Sequence, residues 1–258
     1  MITASEPILS VQAAIAALQG EDQQLSYYAA WWLGKHQVKE AYTILCEALQ
    51  DENYRTIQGG YPLRRQAARA LGVLKNPLAV PALLEQLKNN SDPQLQEAVI
   101  QALEAIGDPR AISPLVELLK IGGELPYEAL IEALGSFNVI EVQEFVRLYQ
   151  NHPSERVQCA VARYFYQTTQ DKRYLARIIC NLNHENPYLR WAAAFDLGAI
   201  GHLQAAEAIK NAPIANSLKL LNLKRIIESV LNSDFAEVDK NNSCEILFQT
   251  IDDLLIEL

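Results

Sequence analysis

The chain has 258 residues, half of them hydrophobic, and a net charge of −9. That supports a sizeable core in one large domain or two small ones, and leaves little room for disorder away from the ends. The acidic balance argues against non-specific binding to nucleic acid or an anionic membrane surface, and no stretch approaches the roughly 20 apolar residues needed to span a bilayer. The N-terminal MITASEPILS has no basic region leading into an apolar run. Cys46, Cys159, Cys180 and Cys244 are widely spaced, and no CxxC occurs. The expectation is a reduced, cytosolic protein with no secretion signal, no structural disulfide and no metal site.

In chain order, the first distinctive element is LSYYAAWWLG at 25–34. A segment NYRTIQGG follows at 53–60, with Gly59-Gly60 marking a loop before Tyr61-Pro62. Next comes LRRQAARALG at 63–72, and then PLAVPALLEQLKN at 77–89, whose apolar residues recur at three- and four-residue spacing. LQEAVIQALE (95–104), PRAISPLVELLK (109–120), PYEALIEALG (126–135), VQCAVARYFY (157–166) and LRWAAAFDLG (189–198) continue the series. Aligned on the ninth residue, the alanine-rich segments place Leu33, Leu71, Leu103, Leu134, Phe165 and Leu197 at gaps of 38, 32, 31, 31 and 32. Near-constant gaps of this size are the mark of stacked repeats. Each unit pairs an amphipathic helix with an alanine-rich one, and Asn76-Pro77, Asp92-Pro93, Gly107-Asp108-Pro109 and Asn186-Pro187 mark turns.

The predicted fold is therefore all-α: a HEAT-like α-solenoid of about six to seven helical hairpins with a period of about 31 residues. It spans residues 1–231, with SLKLLNLKRIIESVL (217–231) as its last helix or cap. Residues 232–244 read as a polar linker. Residues 245–258 read as an amphipathic helix with Ile246, Leu247, Ile251, Leu254 and Leu255 on one side, which either caps the stack or docks on a partner. The long first gap holds the 53–60 insertion, which is either a neutral loop expansion or an edge loop that bears on binding.

At about 100° per residue, Ala29, Ala30 and Leu33 fall on one side of a helix, and Tyr27, Tyr28, Trp31 and Trp32 on the other. The small residues are the repeat stripe, and the rings point outward. Down the stack, the Trp31 position becomes Arg69, Gln101, Glu132, Arg163 and Phe195. The Tyr27 position becomes Arg65, Glu97, Glu128, Cys159 and Trp191. If the second helices line a concave face, that face has aromatic ends, two arginines beside the first end and carboxylates in the middle. A cluster of exposed rings marks a contact site. Arg65 and Arg69 point outward as candidates for an anionic ligand, whereas Arg64 and Arg190 sit on the core side in structural roles.

No P-loop, dinucleotide-binding glycine pattern or HExxH is present, and His36, His152, His184 and His202 lack metal-ligand spacing. Read from its residues, the chain is a binding scaffold.

Two stretches, YYAAWWLGK (27–35) and GGYPLRRQAARALG (59–72), resemble the E subunit of the heterodimeric E/F-type phycobilin lyases of phycobilisome-containing organisms. The resemblance covers about residues 8–230. It implies an F-type partner and a joint reaction that attaches phycocyanobilin, through a reversible thioether at ring A, to a cysteine of a phycobiliprotein α subunit. Phycocyanin α is the first acceptor it suggests. Phycoerythrocyanin α, served by a lyase that also isomerises, is the alternative, and a non-catalytic phycobiliprotein-binding adaptor for phycobilisome assembly or disassembly is another. The attacking thiol then belongs to the acceptor, the bilin is a substrate, and no permanent cofactor is expected. The location would be cyanobacterial cytoplasm or plastid stroma. On this reading Tyr27, Tyr28, Trp31, Trp32, Tyr61, Arg65, Arg69, Arg163, Trp191 and Phe195 form bilin- or partner-binding surface. Glu97, Glu128, Glu132 and Asp196 are candidates for a carboxylate that bonds the pyrrole N–H groups.

Overall fold

One local rule, repeated, builds the backbone. In the computed structural model, which describes residues 8–88, 92–233 and 236–256, all six alanine-rich segments are helices. Asp22, Asp92 and Asn186 cap three of them by accepting bonds from the first-turn N–H groups. Each of the six is followed at its C-terminal end by a residue of positive φ: Gln37, Lys75, Gly107, Asn138, Gln170 and Gly201. That left-handed residue satisfies end carbonyls and turns the chain back for the next hairpin.

The chain divides into two compact units, Met1–Val139 and Ile140–Leu258. In the first, α2 (Gln23–Lys35), α4 (Pro62–Leu74), α6 (Pro93–Ile106) and α8 (Tyr127–Ser136) lie side by side in one layer. Behind them run α1 (Val11–Leu18), α3 (Tyr42–Ala48), α5 (Val80–Lys88) and α7 (Ile112–Ile121). These partner helices are shorter than the apolar periodicity suggests. Lys39–Ala41, Pro77–Ala79 and Pro109–Ala111 are single 3-10 turns, and at the last two Asn76 and Asp108 each hold the N–H two residues on and tighten the entry. Asn89, the end of the expected 77–89 helix, lies outside the described residues.

The second unit contains α9 (Gln143–Arg147), α10 (Glu155–Thr169), α11 (Lys172–Asn181), α12 (Pro187–Ile200), α13 (Ala205–Asn211), α14 (Asn216–Leu231) and α15 (Glu237–Ile256). Here α10 packs on α11 and α12, and α12 on α14. Among the described residues there is no strand, and no helix is long and apolar enough to cross a membrane. The fold class is the all-α, HEAT-like solenoid.

The core is the stripe read from the sequence. Leu33, Leu71, Leu103, Leu134, Phe165 and Leu197 are all enclosed, each side chain worth about 1.5–3 kcal/mol on burial. The alanines beside them let backbones approach. A Cβ on Gly34 would lie 3.0 Å from the Ala70 Cα, and one on Gly72 would lie 2.9 Å from the Ala102 Cα.

The C-terminal segment differs from expectation. The stretch read as a linker, 232–244, is helical from Glu237, with Glu237 and Asp239 favourably placed at the positive helix end. Polar side chains there suit an exposed helix face, and Cys244 is already buried. The helix α15 folds back onto α13 and α14 through Cys244, Leu247, Thr250 and Leu254, and Lys210 Nζ bonds Asp253 Oδ2 at 2.7 Å. Ile246 and Leu255, expected on its apolar side, are half exposed. The remaining parts of the expected ranges, residues 1–7, 234–235 and 257–258, lie outside the described residues.

Gly72→Ala gains about 1 kcal/mol of helix propensity but forces a methyl into backbone, at a typical cost of 1–3 kcal/mol. The expected outcome is a lower melting temperature, by roughly 2–4 °C per kcal/mol of net loss, read by calorimetry against wild type.

Candidate functional site

The insertion after α3 folds onto itself before it meets α4. Asp51 accepts from the N–H groups of Asn53 (3.2 Å) and Tyr54 (2.9 Å). Thr56 N bonds Gly60 O at 2.8 Å, Gly60 N bonds Thr56 Oγ1 at 2.9 Å, and Gly59 supplies the positive φ that closes the turn. The loop is also tied outward, because the Gln23 amide donates to Asn53 O at 3.0 Å.

This arrangement opens a cleft of about 330 Å³ lined by Tyr27, Tyr54, Pro62, Arg65 and Arg69. Three of these residues, Tyr27, Arg65 and Arg69, were singled out from the sequence. Tyr54 was not, although its insertion was. The two guanidiniums differ. Arg69 is exposed and makes no ion pair among the described residues. Arg65 is mostly enclosed: its Nε lies 3.6 Å from Asp92 Oδ2 and its Nη1 donates to Gln94 Oε1. Two tyrosines and two cations around one cleft suit a flat anion, with ring faces to stack on and donors for a carboxylate.

The other rings of α2 lie on the same exposed face, outside that cleft. Tyr28 and Trp31 stack at 5.2 Å, and Lys35 Nζ sits 4.5 Å over the Trp31 ring. Trp32 is half-buried and stacks on His36 at 4.0 Å. Tyr61 is also engaged, with the Arg64 guanidinium 4.1 Å and the Arg55 guanidinium 5.4 Å from its ring. Arg64 is buried and structural: its Nε donates to Asp51 O at 2.6 Å, and its Nη2 meets Glu52. Arg190 likewise donates to the carbonyls of His184 (2.8 Å) and Glu185 (3.0 Å).

None of Glu97, Glu128 and Glu132 lines the cleft. Glu97 is exposed on α6 and accepts from Gln101 at 3.2 Å; Glu128 and Glu132 are half-buried on α8. In the second unit, Trp191 and Phe195 are exposed on α12, Tyr188 meets Trp191 edge-on at 5.3 Å, and Arg225 donates to Phe195 O at 3.2 Å. Two residues from this unit are corrected. Arg163 and Asp196, read as ligand-facing, are both buried and face each other at 3.7 Å, with Arg156 on the other carboxylate oxygen at 3.2 Å. A buried carboxylate must be paired, and Asp196 draws Arg163 inward to do it. Cys159, at the Tyr27 position, is buried for a related reason: Asn181 Nδ2 reaches its sulfur at 2.7 Å.

No nucleophile stands out. Burial pushes the Cys159 thiol up to about 11, with Asp196 adding to the rise, and burial also raises Cys46. His152, His184 and His202 each use Nδ1 to accept a backbone N–H two residues on, so they close turns. Among the described residues no three His, Cys, Asp or Glu side chains converge as metal ligands.

Comparison with known proteins agrees with the repeat. The family model for HEAT repeats matches residues 61–135, and that for the PBS lyase HEAT-like repeat matches 27–51 and 189–212. The chain is 58% identical to the bilin biosynthesis protein PecE of Mastigocladus laminosus, over 98% of each chain. It is 42% identical to the phycocyanobilin lyase subunit alpha of Nostoc sp. PCC 7120, over 96% of this chain and 95% of that one. The solved complex of CpcE and CpcF of phycocyanin lyase from Nostoc sp. PCC7120 contains a chain that matches with a TM-score of 0.85 at 41% identity, covering 98% of both.

The thiols give a direct check. With a pKa of about 11, Cys159 holds only about one thiolate in a thousand at pH 8. Iodoacetamide on the native protein is expected to label exposed Cys180 first and to leave Cys159 unmodified until the chain unfolds, as read by peptide mass spectrometry.

Proposed function

The chain belongs to the family of E-type bilin lyase subunits, and from that membership we propose that it works with an F-type partner to join an open-chain tetrapyrrole to a cysteine of a phycobiliprotein α subunit. The observation that carries the proposal is the match along essentially the whole chain, and the cleft supplies its chemistry. The acceptor thiol adds across the ethylidene double bond of ring A: a carbon–sulfur bond forms, the thiol proton is taken up by the bilin, and nothing leaves. Such an addition needs the bilin held in one conformation with ring A presented, which a binding scaffold can do without a nucleophile of its own.

In this reading Arg69 and Arg65 meet propionate oxygen, and Tyr27 and Tyr54 flank the pyrroles. The Tyr28–Trp31 pair, exposed but outside the cleft, is assigned to the F-type partner, because paired aromatics are what interfaces bury. Trp191, Phe195 and Tyr188 form a second exposed aromatic patch of the same kind. Asp196 is removed from the candidates for bonding the pyrrole N–H groups, since its carboxylate already serves two arginines. Phycocyanobilin is the proposed bilin, bound as substrate, with no resident cofactor. The setting is cyanobacterial cytoplasm or plastid stroma.

The acceptor is phycocyanin α or phycoerythrocyanin α. The greater identity to the PecE proteins than to the phycocyanobilin lyase subunits favours the second, with isomerisation of the bilin contributed by the F-type subunit.

The test is co-expression with an F-type subunit, a bilin source and each α subunit in turn, with covalent product read by zinc fluorescence on denaturing gels. A charge-assisted bond is worth about 1.5–3 kcal/mol, so Arg69→Ala is expected to cut attachment at limiting bilin about tenfold or more. Attachment at the wild-type rate in Arg65→Ala/Arg69→Ala would remove the cleft from the reaction. Tight phycobiliprotein binding with no covalent bilin would make the chain an adaptor instead.

A further inference from the structure

The cleft is held by a residue that does not line it. Asp92, the N-cap of the next repeat's α6, is 7% exposed. Its Oδ1 accepts from Gln94 N (3.0 Å) and Leu95 N (3.2 Å) and so starts α6. Its Oδ2 accepts from Tyr61 N at 3.0 Å, where the insertion enters α4, and lies 3.6 Å from Arg65 Nε. Gln94, in the same first turn, takes Arg65 Nη1. Gly60 completes the enclosure: a Cβ there would lie 2.6 Å from Arg65 Nη2, 3.3 Å from Thr56 Oγ1 and 3.4 Å from Asp92 Oδ2. One carboxylate thus joins three things: the start of a helix, the end of the inserted loop and the guanidinium in the cleft wall.

We infer that Asp92 is a positioning residue for bilin recognition, fixing Arg65 and the Tyr54-bearing loop so that the cleft is formed before the ligand arrives. The inference rests on the reading of the cleft as a bilin site. An arginine side chain loses considerable rotamer freedom on binding an anion, and a carboxylate that has already oriented it removes that cost from the binding step. Helix capping alone does not require the arrangement. The cap uses Oδ1, whereas the loop N–H and the guanidinium both face Oδ2. Asp22 caps α2 with the same two-bond geometry and has no arginine beside it among the described residues.

Asp92→Asn separates the roles, because asparagine caps a helix about as well as aspartate but brings no charge to Arg65. Asp92→Ser is a second cap-retaining variant should the first fold poorly. The intact heterodimer with its F-type subunit is titrated with phycocyanobilin, and KM and kcat for attachment are determined separately. The expected result is a KM raised about tenfold with kcat changed far less, at near-native thermal stability. In an Arg65→Ala background, Asp92→Asn should add nothing further, since a positioning residue acts through the group it positions. A wild-type KM in Asp92→Asn with a raised KM in Arg65→Ala overturns the inference and leaves the cleft standing, as does full additivity of the two substitutions. A wild-type KM in both Arg65→Ala and Arg69→Ala overturns the cleft and this inference together.

Discussion

The outer face of α2, α4 and α6 depends on how closely these alanine-rich helices approach. At Gly34 against Ala70 and Gly72 against Ala102, one more carbon would sit 3.0 and 2.9 Å from the facing Cα. These glycines follow the core leucines Leu33 and Leu71, and the alanines precede Leu71 and Leu103, so one contact recurs from repeat to repeat. It fixes the spacing of α2, α4 and α6. Because Ala70 adjoins Arg69, the same contact sets the distance between the tyrosine face of α2 and the arginine face of α4. The cleft is the outward side of an inward constraint, and packing at this density transmits any change from one face to the other.

The arginines show how the same residue type is put to two uses. Arg64 and Arg65 are neighbours on α4, yet Arg64 is spent on Asp51 O, Glu52 and the Tyr61 ring, while Arg65 lines the cleft under the control of Asp92. Arg163 and Arg156 enclose the buried Asp196 carboxylate in the second unit. Buried pairs of this sort contribute little net stability, because desolvation offsets most of their attraction. They do fix geometry, since removing one member strands a charge. Arg69, exposed and without an ion pair among the described residues, keeps its donors available at the cleft.

The repeat was legible in the sequence because it is local. Ala29, Ala30 and Leu33 declare a core face by spacing alone, and the rings opposite them follow from the same wheel. What was not legible depends on partners far along the chain. Arg163 shares the register of Trp31 and Arg69, so spacing places it outside; only Asp196, 33 residues on, brings it in. Tyr54 lies in a segment with no periodicity, and its place in the cleft depends on a turn closed by Thr56 and Gly60. The early start of α15 was hidden for a different reason. Residues such as Asp239, Lys240 and Asn241 read as linker by composition, but a helix with one solvated face accepts them readily once Cys244 and Leu247 anchor the other.

The proposed division of work between the two subunits starts from what this chain offers. Burial pushes the Cys159 thiol up, and His152, His184 and His202 each use Nδ1 to close a turn. Its cleft, near the lower end of the usual 300–1,000 Å³ for small-molecule sites, has two rings and two guanidiniums in its wall. That wall can fix one end of a linear tetrapyrrole. An open-chain bilin can turn about the formal single bonds of its methine bridges, and holding one end leaves the rest to sample several conformations. A second surface is needed to restrict them, and the proposed assignment of the exposed Tyr28–Trp31 pair to an F-type partner would bring one. On this reading the enzyme is obligately heterodimeric because each subunit binds only part of a flexible substrate, and the entropy lost in ordering it is divided between two binding surfaces.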